Sequence, residues 1–227
     1  MRKLISAAVL ALGFAMPSQA AVTFDFINDD PNGADAPGAW NNKNERAEMD
    51  GTILEFDGIY IEFSASSTYG DGYAYFDSGN AGLGVCSNIG DRTDFFGNVV
   101  SNQCVPGSDD NLTQGENLTL TFWYDAAGTQ AAELQLYDIV FRNAAHEVIT
   151  DYNFNVNGSD MAMGGYDSGS VNHSYTFAYA NQNANQYYIS SISAISAVPE
   201  PATWLMLILG FGMVGVATRR RNKIALA

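Results

Sequence analysis

Between residues 21 and 198 no apolar stripe of 3.6-residue period runs longer than two turns, whereas apolar and polar positions alternate repeatedly through segments rich in β-branched and aromatic side chains. A period of two is what a half-buried strand needs, because successive side chains point to opposite faces of a sheet. The pattern predicts strands over 22–27, 52–56, 59–65, 73–76, 117–123, 132–142, 148–156, 174–180 and 186–195. An all-β fold follows, and so many short strands in one body predict a β-sandwich of jelly-roll-like kind. Asp57-Gly58, between the second and third strands, suits a two-residue hairpin turn because both positions tolerate the positive φ of type I′. A bulge in one longer strand is the alternative. Glycines gather at Gly70-Asp71-Gly72 and across 79–84, which predicts turns there and no phosphate loop.

Within 117–123, Leu118, Leu120 and Phe122 share one face while Thr119, Thr121 and Trp123 share the other. Trp123 then points away from the core, where it is either a platform for a sugar ring or a side chain covered by a neighbouring loop, the loop being favoured. Trp40 is the second candidate for sugar stacking. The Thr119 and Thr121 spacing suits an ice-binding surface, but such a surface needs a repeated ladder and this motif occurs once.

Two apolar runs break the alternation, one at each end. Arg2 and Lys3 precede 13 apolar-run residues at 4–16, and Pro17-Ser18-Gln19-Ala20 follows with small residues where signal peptidase cuts. Residues 1–20 are therefore expected to be a secretory signal peptide, since a membrane span takes about 20 apolar residues. Residues 202–217 are 16 uncharged, mostly apolar residues, about 24 Å long as a helix against a hydrocarbon core of about 30 Å. Arg219, Arg220, Arg221 and Lys223 follow, so a single transmembrane helix is expected with its basic tail in the cytoplasm, Trp204 at the outer headgroups and the body outside. Pro199-Glu200-Pro201 forbids helix just before it and holds an extended peptide that suits a protease groove. The expected division is a signal peptide over 1–20, an ectodomain over 21–197 and a sorting signal over 198–227.

Pro199-Glu200-Pro201, an apolar helix bearing Trp204, Gly210, Gly212 and Gly215, and then Arg219-Arg220-Arg221 together resemble the PEP-CTERM sorting signal of Gram-negative bacteria, a segment also called the ice-binding protein C-terminal domain. All three parts stand in the family's order over about 30 residues; the extra tail 222–227 is the departure. The resemblance implies recognition by exosortase, a membrane-embedded cysteine transpeptidase-like enzyme, and association with exopolysaccharide and biofilm loci.

Setting the ends aside sharpens the charge. Residues 21–198 keep four basic side chains, Lys43, Arg46, Arg92 and Arg142, against 24 acids, a net charge of −20. A body this acidic repels phosphate backbones, which excludes nucleic acid as a partner. With 47% apolar and only 15% charged residues in the chain, a core is expected rather than disorder.

Candidate chemistry is sparse. Cys86 and Cys104 are the only cysteines, an even pair in an exported chain, and a disulfide across the intervening polar loop is expected. A catalytic thiol would need an activating histidine, yet neither His146 nor His173 lies in a recognisable motif. Residues 28–33 begin like a calcium loop but carry Asn28 first and Ala39 twelfth, which fails as an EF-hand. Asp109, Asp110, Asn111 and Glu116 offer hard oxygen atoms of the kind that hold Ca²⁺ at a sandwich rim, with a solvated turn as the simpler reading. No other cofactor is expected, and no acid pair stands out for glycoside hydrolysis. Four glycosylation sequons, including 157–159, are read as accidental in a bacterial chain. The expectation is a non-enzymatic surface or biofilm-matrix protein, met by signal peptidase and exosortase during export, anchored in the inner membrane as a precursor and then placed at the cell surface or in the extracellular matrix. The alternative is a secreted carbohydrate-binding module that engages exopolysaccharide, with or without calcium, and a polysaccharide hydrolase comes third.

Overall fold

Alternation in the chain becomes alternation in burial: every second side chain from Ile59 to Phe63 and from Glu116 to Phe122 is buried. The computed structural model describes residues 21–27, 46–48, 50–77, 81–93, 97, 99–107, 110–196, 208, 210 and 211. The expected signal peptide at 1–20, Pro199, Glu200, Pro201, Trp204, Arg219, Arg220 and Arg221 lie outside them. The strands are β1 (Ala21–Asp25), β2 (Arg46–Glu48), β3 (Thr52–Phe56), β4 (Ile59–Ser67), β5 (Tyr73–Asp77), β6 (Gly82–Cys86), β7 (Ile89–Thr93), β8 (Val99–Cys104), β9 (Glu116–Trp123), β10 (Leu134–Arg142), β11 (Val148–Ile149), β12 (Asn153–Val156), β13 (Ser159–Ala162), β14 (Ser174–Tyr179) and β15 (Tyr188–Ser196). The ectodomain is all-β, as its alternation predicts.

One sheet runs β11-β10-β15-β6-β5-β2, with β1 also paired to β15; the other runs β13-β12-β14-β9-β4-β3. β15 pairs β10 along one edge and shares its other edge between β6, at Ile189, and β1, from Ser191 to Ile195. The two inner faces enclose one apolar core. Aromatic rings join the sheets along its length: Phe76 meets Phe63 at 5.3 Å, Phe24 stacks on Phe122 at 5.7 Å, and Phe141 meets Phe154 at 4.6 Å between centroids. Such pairs add about 0.5–1.5 kcal/mol each beyond the area they bury.

Asp57 and Gly58 take φ of 49° and 80° and join β3 to β4 as the expected type I′ turn, pairing Phe56 with Ile59. Asn157-Gly158, with φ of 50° and 83°, makes the same turn between β12 and β13. Three expectations need correction. The glycine run at 79–84 is not all turn, because Gly82 and Gly84 lie in β6, a strand buried on both faces. A Cβ on Gly84 would stand 2.0 Å from the Asp110 carbonyl oxygen, so glycine there admits the chain that crosses the strand. The stretch 148–156 is two strands, β11 in one sheet and β12 in the other, with the crossing at 150–152. The polar loop between the cysteines is a ribbon of β7 against β8, pairing Ile89 with Cys104; from Asp91 to Thr93 its side chains are exposed, so no alternation marks it.

Cys86 and Cys104 form a disulfide, with Cα atoms 5.6 Å apart. The bond sits in a small second cluster with Tyr75 and Ala47, on the face of β5 turned away from the main core. It ties the base of the ribbon to the end of β6. Closing a separation of 18 residues restrains the unfolded chain by about 3 kcal/mol on the chain-entropy estimate. Reduction is expected to free the ribbon while β9 and β10 hold, so trypsin should cut after Arg92 much faster in reduced protein. Equal cutting rates before and after reduction would contradict this.

Candidate functional site

The residues marked in the sequence separate in space and mostly serve the fold. Trp123 is half-buried on the outer face of β9, its Nε1–H donating to Glu62 Oε2 at 3.0 Å and its ring set edge-on to His173 at 4.4 Å. The turn at Gly128 packs over the indole, so the ring is partly covered by a loop. Trp40 and Asp109 lie outside the described residues. Glu116, only 1% exposed, accepts from Ser87 Oγ at 2.8 Å, from the Thr113 N–H at 2.9 Å and from Thr113 Oγ1 at 3.2 Å. It therefore closes the turn that starts β9. Asp110 and Asn111 are buried with it, and Asp110 accepts a hydrogen bond from the Tyr188 hydroxyl. Among the described residues, no three His, Cys, Asp or Glu side chains converge as a metal site.

A polar cluster that the sequence does not mark lies where β5 ends and β15 begins. Asp77, 1% exposed, sits 3.2 Å from His146 Nε2, and the His146 ring stands edge-on to Tyr188 at 6.0 Å. Burial pushes the Tyr188 hydroxyl far above the ordinary tyrosine range, and its bond to Asp110 and the Asp110 and Asp77 charges push the same way. The phenol therefore stays protonated as a fixed donor. His146 has a φ of 63°, and its carbonyl accepts from Arg142 Nη1 at 2.8 Å, which fixes the turn after β10. These groups stand far apart in the chain and only the fold unites them.

A broad concavity lies at one end of the second sheet, where β4 and β14 end and β9 begins. A cleft of about 680 Å³ runs over Thr68, Gln114, Asn117, Tyr179 and Asn181, with Glu116 beneath it. A neighbouring cleft of about 450 Å³, which shares Gln114 and Tyr179, continues past Tyr69, Thr113, Asn185 and Gln186. Two hydrogen-bond systems hold the walls. On one side Glu116 binds Ser87, Ser87 Oγ meets Ser67 Oγ at 2.8 Å, and Ser67 Oγ accepts from the Tyr69 N–H at 3.1 Å. Gly115, with a φ of 88°, lets that wall close, since a Cβ there would stand 2.3 Å from Thr68 Oγ1. On the other side Asp160 accepts from the Asn181 N–H at 2.8 Å, from Asn181 Nδ2 at 3.1 Å and from Asn155 Nδ2 at 2.7 Å. Asn183 Nδ2 donates to the Asp151 carbonyl at 2.8 Å, and the Asn153 N–H donates to the Asn183 carbonyl at 2.9 Å.

Sequence reasoning missed this groove because its residues come from the ends of separate strands. The visible signal was the amide-rich run Asn181-Gln182-Asn183-Ala184-Asn185-Gln186. Residues 197–221 match the family described as the PEP-CTERM protein-sorting motif, so the chain carries that motif where the resemblance placed it. No curated protein and no solved structure matches the chain.

The Asn155 side-chain hydrogen bond is the largest cause holding the Asp160 carboxyl below the usual carboxylate range, and with those from Asn181 and Gln182 it outweighs the upward pull of desolvation. A carboxylate depressed on folding contributes stability above its unfolded pKa and loses that contribution as pH falls through the lower folded value. Wild type is therefore expected to melt at higher temperature than Asp160→Ala at pH 6, with the gap narrowing once pH falls below the ordinary aspartate value of about 4. A gap that persists unchanged at low pH would contradict this role.

Proposed function

We propose that this chain is a non-enzymatic surface or exopolysaccharide-matrix protein of a Gram-negative bacterium, whose jelly-roll-like ectodomain is delivered by its two terminal addresses. The PEP-CTERM motif at 197–221 carries the proposal. In this reading signal peptidase cuts after Ala20, the helix 202–217 holds the precursor in the inner membrane with the basic tail inside, and exosortase acts near Pro199-Glu200-Pro201. The product then leaves for the surface or the matrix.

One observation on the folded body supports it. In the ectodomain the buried carboxylates are engaged as structural acceptors, Glu116 from Thr113 and Ser87, Asp110 from Tyr188, and Asp77 with His146. Carboxylates engaged in this way suit a scaffold.

Changing Glu200 to Ala tests the sorting step. The variant is expected to accumulate in the inner-membrane fraction of its native host, with released product falling to a small part of the wild-type level. Release at the wild-type rate would overturn exosortase processing at this site.

A further inference from the structure

We propose that the groove at the end of the second sheet is a binding site for a neutral polysaccharide, with Tyr69 and Tyr179 as aromatic walls and Gln114, Asn117, Asn185 and Gln186 as the polar contacts. The proposal rests on the ectodomain lying outside the cell, as in the preceding section, and adds a ligand class to it.

Shape comes first. The two neighbouring clefts, about 450 and 680 Å³, are of the size that ligand sites occupy, and because both are lined by Gln114 and Tyr179 they lie side by side, which suits successive units of a chain. Chemistry follows. Tyr69 is 63% exposed although it is a large aromatic residue, and its backbone is pinned through Ser67 to Glu116. A sugar ring has a C–H face that packs against such a ring and a rim of hydroxyls that both donate and accept. Primary amides match that rim, since each offers two donors and an acceptor. Gln114, Asn185 and Gln186 have side-chain amides without a hydrogen-bond partner among the described residues, so they are available to a ligand without breaking the fold. The strand ends and Asp160 fix the walls that carry them, which lowers the ordering cost of binding.

Charge selects the class. Residues 21–198 carry −20 in net charge, yet among the described residues the only charged side chain lining either cleft is Glu116, which is buried. The groove is thus a neutral strip on a strongly acidic body. Among the described residues no cation lines it to pair with a carboxylate or sulfate, and the surrounding field repels anionic polymers. A neutral glycan loses nothing to that field.

Affinity electrophoresis provides the test. The full chain, purified in a polyoxyethylene detergent without a sugar headgroup, is run in native gels containing laminarin, dextran, galactomannan or hydroxyethyl cellulose, and in parallel gels containing alginate or polygalacturonate. Retardation is expected in at least one neutral gel and in neither anionic gel. Tyr69→Ala and Gln114→Ala sit at exposed positions, melt as wild type, and each weakens retardation about tenfold, whereas Trp123→Ala retains it. Mobility unchanged in all four neutral gels would overturn the proposal. So would retardation by an anionic polymer equal to the neutral one, or retardation lost in Trp123→Ala and kept in Tyr69→Ala. Because the gel reads the purified chain, its failure leaves the sorting step standing, and wild-type release of the Glu200→Ala variant leaves the groove standing.

Discussion

The packing of aromatic rings between the two sheets is the constraint from which the rest of the ectodomain follows. Phe26, Phe56, Phe63 and Phe76 meet one another edge to face, with the Phe26–Phe56 centroids 5.4 Å apart, and they come from four separate strands or strand ends. Each sheet has an apolar face that is stable only when covered, and these rings are too large to be covered by their own sheet. Once they interlock, strand register is set, because a shift of one residue would turn every ring to the outside. The strand ends are then fixed in space. That is why short turns with a few buried hydrogen bonds, such as Thr113 to Glu116, suffice to hold the groove.

The strands that bear this core were legible because one face is dry and the other wet. β4, β9 and β14 alternate, and the chain declares them. β6 does not alternate, because Leu83 and Val85 face the core while Gly82 lies close against β15 and Gly84 under the chain at Asp110, so burial on both faces erased the period and left glycine, which imitates a turn. β7 and β8 failed in the opposite way, being a ribbon held by its disulfide with little apolar cover of its own. Asn157-Gly158 carried a hairpin signal as plain as Asp57-Gly58, but β13 is four residues long with only Asp160 partly buried, and a strand without an inner face leaves no pattern.

The two functional elements differ in legibility for a physical reason. A sorting signal is read by other proteins as a contiguous peptide and helix, so its information is linear, and Pro199, Glu200, Pro201 and the three arginines could be recognised before any fold was known. The groove is assembled from a turn after β4, the start of β9 and the loop after β14, and no local pattern encodes that meeting. Trp123, the residue that sequence reasoning singled out for sugar, has spent its indole N–H on Glu62 and part of its face on the Gly128 turn. Tyr69 drew no notice in a polar turn and is the exposed ring beside unengaged amides.

Fold and address meet in the order of events, because in the proposed route the body reaches its place only if both terminal segments are removed from it. Intact-mass measurement of the protein recovered from outside its native host examines this most directly. The account predicts a product that begins at Ala21 and lacks Arg219, Arg220 and Arg221, with Cys86 and Cys104 two hydrogens lighter than free thiols. A mature product that still carries residues 219–221 would contradict it.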